Sequence, residues 1–514
     1  MKKYLGIEFG STRIKAVLID ERGSVLCSGG YEWENSLVDG WWSYDLAEVI
    51  KGMQSSYAEL SKEYKAKYNE SLIQIDAIGI SAMMHGYLAL DGQDNLLAPF
   101  RTWRNTRTQE AAKELSAALK FNMPQRWSAT HYYQAILSGE KHANSVAHLH
   151  TLSSYVHYLL TGKNVVGAND ASGMFPLLEG DYDKARIQKY NALLKAQGID
   201  KDIYKLLPKV MLAGENAGIL TKQGAKLLDP SGNLQAGVVC CPPEGDMATG
   251  MVCTNAVAQR TANVSSGTST NMTVILEKPL KKYYPEIDII ATPDGYAAAL
   301  LHTNNCTTEI NEWVSLFSEV ATLCGADINK GELFTKLFNK SLECDERVGK
   351  LVGYNYLAGE PLAKTGNGAP LIVRSPDGEL NLANFMQMQI YSANAAIALG
   401  MDILRGENVN IDSVTAHGGF YKTEFVGQNA LSATLDAPVT VVKNAGEGGA
   451  WGIALLALYA ANKKSLLAEF LQDIFRNVEK ATVMATDEEK KKFAAFMQGY
   501  KANLAVEKLA SEVK

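Results

Sequence analysis

Two segments of the chain combine a glycine with hydroxyl side chains in a way that suits phosphate binding. Each is an apolar strand that ends in a short turn and leads into a second apolar strand. The turns read Gly10-Ser11-Thr12 and Gly267-Thr268-Ser269. A tight hairpin of this composition offers backbone N–H groups and hydroxyls, and no side chain on the glycine blocks an approaching anion. We therefore expect both turns to bind the phosphates of one nucleotide.

Charged residues flank the first turn. Glu8 lies in the strand before it and Lys15 in the strand after it. A carboxylate near nucleotide phosphates can hold a hydrated Mg²⁺, and we place Lys15 in the phosphate site. Taken alone, each could equally be an ordinary strand residue. The repetition of the hairpin favours the binding role.

A second carboxylate is expected at the edge of a sheet. Asp246 follows a buried strand and begins a helix of small residues. Ligands of α/β sheets bind where strands end and helices begin. The local pattern fits a helix N-cap equally well. The short distance in sequence from Asp246 to the second turn favours a catalytic role.

Other residues are candidates for binding a polyol. Met84 and His85 end a predicted strand over 75–81, where a histidine is more often structural than a ligand. Trp103 and Arg104 stand beside Asn105, and this mixture of an aromatic ring and polar donors is typical of sugar recognition. The helical and loop-rich stretch 100–235 is expected to carry further substrate contacts.

Glycine-rich turns near the end of the chain suit a flat ligand. Gly418 and Gly419 follow a predicted strand, and a second turn spans 446–449. Such turns let the backbone approach closely, although many need glycine only for geometry. We expect the two turns to enclose an adenine and place Thr423 in the same nucleotide site.

Composition excludes several classes of protein. The chain has 514 residues and a formal net charge of -6, with 46% hydrophobic residues. A basic surface for nucleic acid or an anionic membrane is therefore not expected. The longest uncharged apolar run, 448–461, is too short to span a bilayer. Seven cysteines without CxxC spacing suggest reduced thiols and a cytoplasmic location.

The pattern of elements predicts an α/β protein with two domains. We expect an N-terminal domain over 1–243 and a C-terminal domain over 244–480, followed by helices over 481–514 that pack back on the first domain. Helical patterns also cover 41–68 and 143–160. P-loop, dinucleotide-fingerprint, HExxH and GxSxG motifs are absent from the sequence.

Taken together, these segments resemble the FGGY family of carbohydrate kinases, and most closely its xylulokinase-like members. The residues that carry the resemblance are Gly6 to Thr12 with Lys15, Met84-His85-Gly86 with Leu90-Asp91, Gly245-Asp246 with Ala248 and Gly250, Gly267-Thr268-Ser269, Gly418-Gly419 with Gln428, and Ala450 to Ala454. The chain departs from the family pattern at four places. Glu8 replaces an aspartate, Trp103-Arg104-Asn105 replaces Trp-Asn-Asp, and Phe420 replaces a glycine. The fourth departure is that the Lys-Leu-x-Trp signature expected near residues 134–140 is missing.

The resemblance implies two actin-like, ribonuclease-H-like domains flanking an ATP cleft. It implies that Asp246 is the base that accepts the proton of a sugar hydroxyl, and that Glu8 and Asp246 hold Mg²⁺. The expected activity is an ATP-dependent kinase of a ketopentose, D-xylulose or L-ribulose, that makes the 5-phosphate. Glycerol, erythritol, L-fuculose, L-rhamnulose and gluconate remain alternative acceptors, as does an actin-like ATP-binding protein without kinase activity. A homodimer is possible by analogy.

Overall fold

The computed structural model of the protein describes residues 1–442 and 448–513. Its contacts divide the described chain into two units, each built around its own sheet. Unit 1 comprises residues 1–257, 282–298 and 448–477. Unit 2 comprises residues 258–281, 299–442 and 478–513. The predicted α/β fold with two domains is confirmed.

The main sheet of unit 1 begins with three consecutive antiparallel strands. Ala77–Ala82 lies beside the first of them and runs parallel to it, and Val239–Cys240 pairs in parallel with Ala77–Ala82. This arrangement brings the carboxyl ends of the parallel strands to one edge. The spatial order is Gly218–Ile219, Val239–Cys240, Ala77–Ala82, Tyr4–Phe9, Arg13–Ile19 and Val25–Glu32, with Glu244–Gly245 also paired to Ala77–Ala82.

The sheet of unit 2 repeats this arrangement. Thr261–Ser266 and Thr270–Ile275 form its first hairpin, and two later strands run parallel to Thr261–Ser266. The spatial order is Ala297–Thr303, Thr270–Ile275, Thr261–Ser266, Ser413–His417, Val439–Val442 and Lys480–Val483. In both units, therefore, the turn of the first hairpin lies at the edge where parallel strands end, which is where α/β sheets bind ligands.

Helices complete each unit. Those of unit 1 are Leu46–Tyr68, Gln109–Leu119, Ser128–Leu137, Leu152–Thr161, Ala168–Ser172, Lys184–Ala196, Ile203–Leu206, Lys222–Leu228, Asp246–Cys253, Gly448–Asn462 and Leu467–Ile474. Those of unit 2 are Thr308–Leu323, Lys330–Ser341, Leu382–Gly406, Val426–Leu435 and Asp487–Glu512. No helix in the described parts of the chain has the length and apolar character needed to cross a membrane.

The helix Gly448–Asn462 lies directly on the first sheet of unit 1. Two glycines allow this contact, because a Cβ atom on Gly6 would lie 2.1 Å from the carbonyl oxygen of Ala450, and one on Gly79 would lie 2.6 Å from that of Ile453. The helix is apolar on nearly all sides, as the sequence predicted for a buried helix. Its N-terminus thereby comes to the end of strand Tyr4–Phe9.

Two predicted helices begin later than their apolar pattern suggested. In the stretch 41–68, a strand Trp41–Ser43 precedes the helix. The helix starts after its N-cap Asp45, whose side chain accepts a hydrogen bond from Ala47 N at 2.9 Å. In the stretch 143–160, the helix starts after Thr151, whose side chain accepts from Ser154 N. Capping side chains outweighed periodicity at both sites.

The domain boundaries differ from the predicted ones at two places. Unit 1 continues to residue 257 and includes 448–477. The terminal helix Asp487–Glu512, which was expected with the first domain, belongs to unit 2. Its apolar face meets aromatic residues there, since Tyr391 contacts Phe493 and Phe496 at ring distances of 5.2 and 5.5 Å. These aromatic contacts hold the terminal helix in unit 2.

A buried glutamate in unit 2 gives the chain a pH-dependent stability. Glu360 is fully buried, and desolvation raises its pKa to about 7 although the Asn305 amide donates to Oε2 at 3.1 Å. The unfolded chain releases this proton near pH 4.3. Between that pH and about 7 the native state alone binds the proton, so this contribution to stability falls as pH rises.

We therefore expect wild type to lose stability relative to Glu360→Gln between pH 5 and pH 8. Urea unfolding of both proteins at the two pH values measures the difference. Glu312→Gln, at an exposed position, is the control and should show no such change. A difference between wild type and Glu360→Gln that is the same at both pH values would contradict the assignment.

Candidate active site

The carbonyl groups of the first turn are all bound by the protein behind it. Trp33 Nε1 donates to Gly10 O at 2.7 Å, and Trp33 N donates to Thr12 O at 3.1 Å. The Tyr44 hydroxyl donates to Ser11 O at 2.6 Å. Because the three carbonyl oxygens accept from the protein and Gly10 N donates to Arg13 O at 3.0 Å, the polar groups that could meet a ligand are the hydroxyls and the N–H groups of Ser11 and Thr12. This polarity suits an anion.

The carbonyl oxygens of the second turn also accept hydrogen bonds from the protein, but from different donors. Gly267 O accepts from Thr307 N at 3.1 Å and from Thr307 Oγ1 at 2.7 Å. Thr268 O accepts from Cys306 N at 2.9 Å, and Ser269 O accepts from Gly267 N at 2.9 Å. Both predicted phosphate turns are thus built as arrays of donors, each within its own unit.

The predicted adenosine turn contacts the second phosphate turn within unit 2. Gly418 has a φ of 111°, and a Cβ atom there would lie 2.2 Å from Ser266 O, so only glycine fits. Tyr421 joins the same contact, with its hydroxyl 3.0 Å from Ser266 Oγ. The backbone of the two turns is therefore held together.

Other residues of this turn face the interior. Phe420, in place of a glycine, is buried and lies edge-on to Phe338 at 5.9 Å. Thr423 is also buried, whereas Gly419 is exposed. Gln428 donates to Ala481 O at 3.0 Å and has a structural role. Phe420 therefore fills the core. Of the predicted turn 446–449, residues 446 and 447 lie outside the described residues.

Asp246 is the first residue of the helix Asp246–Cys253 and is not its N-cap, a position that Gly245 occupies. Its side chain is open to solvent, and Oδ1 accepts a hydrogen bond from Met84 N at 3.1 Å. The protein surrounding the carboxyl raises its pKa through desolvation, against the lowering effect of the Met84 amide. One oxygen is anchored, which fixes the direction of the other.

Glu8 lies near Asp246 and at a helix N-terminus. The backbone amides of Gly449 and Ala450 donate to its carboxylate, and a Cβ atom on Gly449 would lie 1.8 Å from Glu8 Oε1. Burial and the negative charge of Asp246 nevertheless raise the pKa of Glu8 to about 7, against the charge of Lys15, its partner in the hairpin register. A bound cation would relieve the repulsion between these two carboxylates, so the pair is a candidate cation site.

His85 is buried in an uncommon backbone conformation, with a φ of 72°. Burial, with the charge of Arg126 as a smaller cause, holds its pKa well below the usual range, so the ring is neutral. Its Nδ1 lies 3.4 Å from Gly173 O. Because a carbonyl oxygen only accepts, we assign the proton to Nδ1. Nε2 is then an acceptor, suited to a sugar hydroxyl.

The predicted sugar residues 103–105 lie on an exposed loop of unit 1. Arg104 lies over the ring of Trp42 at 4.2 Å and donates to Asn35 Oδ1 at 2.9 Å. Trp103 is exposed, and Asn105 is buried, where it accepts from Trp42 N at 2.8 Å. Asn105 therefore holds the hairpin around Trp42. Within the described residues, these contacts do not bring Arg104 to Asp246.

Sequence reasoning missed a group of buried residues behind Asp246. Asn169 Oδ1 accepts from Ala248 N at 3.1 Å, and Glu244 Oε2 accepts from Asp170 N at 3.1 Å. Asp170 and Glu244 are nearly inaccessible to solvent. The signal was present in the sequence, since Asp170 follows the short strand Val165–Gly167 as Asp246 follows its own strand.

The structure thus brings the predicted residues together in two sets. Unit 1 holds the first phosphate turn, Glu8, Met84, His85 and Asp246, and unit 2 holds the second turn with Gly418. Within the described ranges, no group of three or more histidine, cysteine or acidic residues forms a metal site. A cation bound here would complete its shell with ligands from outside the protein, such as water or phosphate oxygens.

Comparison with known proteins shows that the two domain models of one protein family match this chain. The model for the N-terminal domain of the FGGY family of carbohydrate kinases matches residues 3–253, and the model for its C-terminal domain matches residues 262–461. Together the two matches cover most of the chain.

Individual proteins are similar over nearly the whole length. The xylulose kinase of Haemophilus influenzae is 22% identical, over 93% of this chain and 94% of its own. The gluconokinase of Bacillus subtilis is 23% identical, over 89% and 88%. The crystal structure of xylulose kinase from Rhodospirillum rubrum superimposes with a TM-score of 0.80 at 16% identity, over 98% of this chain and 99% of that one.

Proposed function

Because this chain belongs to the FGGY family of carbohydrate kinases, which use ATP, we propose that it phosphorylates the 5-hydroxyl of a ketopentose, D-xylulose or L-ribulose. The observation that carries the proposal is the Asp246 carboxylate, which is open to solvent and anchored through Oδ1 by the Met84 amide. The similarity to xylulose kinases supports the choice of sugar.

Asp246 acts as the base in this proposal. Oδ2 faces the sugar hydroxyl, orients it for in-line attack and accepts its proton as the bond to phosphorus forms. Desolvation raises the pKa of Asp246 above the ordinary aspartate value, which makes the carboxylate a stronger base. The anchored oxygen keeps the carboxylate from rotating away.

The two glycine turns bind the phosphates of ATP through N–H and hydroxyl donors. Gly10, Ser11 and Thr12 with Lys15 form the first donor array, in unit 1, and Gly267, Thr268 and Ser269 form the second, in unit 2. Donors that are fixed before the reaction stabilise the charge that develops on the transferred group. The adenosine lies on Gly418 and Gly419, near Thr423.

Glu8 and Asp246 fit a bound Mg²⁺. Both are carboxylates, the ligands that Mg²⁺ prefers, and their mutual repulsion is relieved by a cation. Mg²⁺ uses one or two carboxylates and completes its shell with water and phosphate oxygens. When bound, it would offset the charge of the phosphates.

The acceptor is tested by ADP release with Mg-ATP across a panel. The panel contains D-xylulose, L-ribulose, D-ribulose, L-xylulose, L-fuculose, L-rhamnulose, glycerol, erythritol and gluconate. We expect turnover above the sugar-free rate to be greatest with D-xylulose or L-ribulose. Greatest turnover with a polyol or deoxy sugar would contradict the proposed acceptor, and none with any compound would favour an ATP-binding protein without this activity.

Gluconate is the second candidate acceptor, because the cationic side chain of Arg104 lies in a segment where the family pattern has an amide and a carboxylate. The guanidinium of Arg104 is exposed and only partly engaged by Asn35, which leaves donors for a carboxylate. The similarity to a gluconokinase is consistent with this acceptor.

Arg104→Ala tests whether this side chain binds the acceptor, whether that acceptor is a ketopentose or gluconate. We expect the KM for the sugar to rise about tenfold, the effect of one lost charged hydrogen bond, while the KM for ATP stays unchanged. Steady-state kinetics with each substrate varied in turn gives both constants. Arg107→Ala, three residues along the same loop, is the control. A larger rise in the KM for ATP would remove Arg104 from the sugar site.

We further propose that the protein works in the cytoplasm, where its seven free cysteines would stay reduced. Light scattering in solution would distinguish the proposed homodimer from a monomer.

A further inference from the structure

Residues 167–173 lie between two parts of the candidate active site. They end the strand Val165–Gly167 and form the helix Ala168–Ser172. At their centre is Asp170, a carboxyl side chain with no exposure to solvent. Burying such a group is costly unless the protein satisfies it, so its surroundings indicate what it does.

One oxygen of Asp170 is fixed to a rigid element. Oδ2 accepts from Thr151 Oγ1 at 2.6 Å and from the Ser153 hydroxyl. Thr151 also caps the helix Leu152–Thr161 by accepting from Ser154 N. Asp170 is therefore tied to a helix N-terminus whose own geometry is set by capping.

The other oxygen, Oδ1, has no hydrogen-bond partner among the described residues. The side-chain hydrogen bonds of Asp170 therefore run through Oδ2, to the N-terminus of the helix Leu152–Thr161. The amide of Met84, in the loop beside this segment, donates to Asp246.

The loop needs this support. His85 has a φ of 72°, a conformation that is unfavourable for a residue other than glycine. Gly173, which follows the helix Ala168–Ser172, holds the loop through the contact between its carbonyl oxygen and the His85 ring. It also holds the helix of Asp246, through Asn169 and Ala248.

We propose that Asp170 is a positioning residue for the phosphoryl transfer. By fixing the segment 167–173, it keeps the loop of Met84 and His85 in the conformation in which the Met84 amide donates to Asp246 and the His85 ring faces the sugar. Asp170 itself touches neither the sugar nor ATP. This inference rests on the proposed function, in which Asp246 is the base.

The test compares Asp170→Ala with Asp170→Asn. We expect Asp170→Ala to lower kcat 10- to 100-fold with the KM for ATP unchanged, since a misplacement of about 1 Å costs up to about 10²-fold. Asp170→Asn should recover most of the rate, because its amide oxygen still accepts from Thr151 and Ser153. Asp183→Ala is the matched control.

Asp183 is a buried carboxylate of the same unit that caps the helix Lys184–Ala196, far along the chain from Asp246. Its loss should lower stability and leave kcat unchanged. Equal losses of kcat in Asp170→Ala and Asp183→Ala would show a general structural effect and overturn the proposal. Wild-type kcat in Asp170→Ala would overturn it as well.

A second readout does not depend on turnover. The ring resonances of His85, assigned by their loss in His85→Gln, should shift in the NMR spectrum of Asp170→Ala and stay in place in Asp183→Ala. Unshifted resonances in Asp170→Ala would refute the positioning role whatever the enzyme phosphorylates. Absence of sugar-dependent turnover in wild type, by contrast, would count against the proposed function alone.

Discussion

Asp246→Asn should lower kcat with the preferred sugar by on the order of 10³-fold, within the range that a general base contributes. The amide keeps the shape of the carboxylate, and its oxygen can still accept from Met84 N, so the loop should stay in place. What the variant lacks is an atom that takes up the proton of the sugar hydroxyl. Single-turnover kinetics with saturating Mg-ATP measures the chemical step directly.

The control for this prediction is binding. Isothermal titration should give the same affinity for the sugar, within about threefold, in Asp246→Asn and in wild type. Met247→Leu, the neighbouring residue changed at nearly constant volume, should keep wild-type kcat. Full activity in Asp246→Asn would remove Asp246 from the role of base and leave the family assignment intact.

The second large effect is expected at Gly6, on the strand beneath the helix Gly448–Asn462. A Cβ atom there would lie 2.1 Å from Ala450 O and 2.6 Å from Ala454 N, both backbone atoms that cannot move alone. Gly6→Ala must therefore push the helix away from the sheet. We expect the free energy of unfolding to fall by about 3 kcal/mol, the upper part of the range for overpacked cores.

The same displacement should also reach the active site. The amide of Ala450 is one of two that donate to Glu8, so a shifted helix N-terminus would release that carboxylate. Urea unfolding gives the stability, and Mg-ATP titration gives the binding. Gly92→Ala is the control, because nothing lies within 4 Å of a Cβ atom at that position. Equal stability of Gly6→Ala and Gly92→Ala would contradict the described contact.

The sequence was sufficient to predict the parts of the site that lie on local motifs. The hairpin turns at Gly10 and Gly267, Asp246 at the start of its helix, and the buried helix after residue 447 could be predicted as structural elements, because each combines a strand or helix pattern with glycine or small residues in adjacent positions. Hairpins and strand-to-helix turns are determined by residues close in sequence.

The remaining features depend on residues far apart in the chain. Asp170 accepts from Thr151, and Gly173 contacts the ring of His85. Glu8 meets the amide of Ala450 more than 400 residues later. No local pattern encodes such contacts. The same reason explains Phe420, whose replacement of a glycine is absorbed by Phe338 in the core of unit 2.

Direct observation of the product tests the central claim, that ATP phosphorylates a ketopentose in a reaction that needs Asp246. In ³¹P NMR of enzyme with Mg-ATP and D-xylulose or L-ribulose, we expect a new phosphomonoester signal coupled to the C5 protons of the sugar. It should grow as the γ-phosphate signal of ATP falls and should be absent with Asp246→Asn. Inorganic phosphate as the only product, or an equal ester signal with Asp246→Asn, would contradict the account.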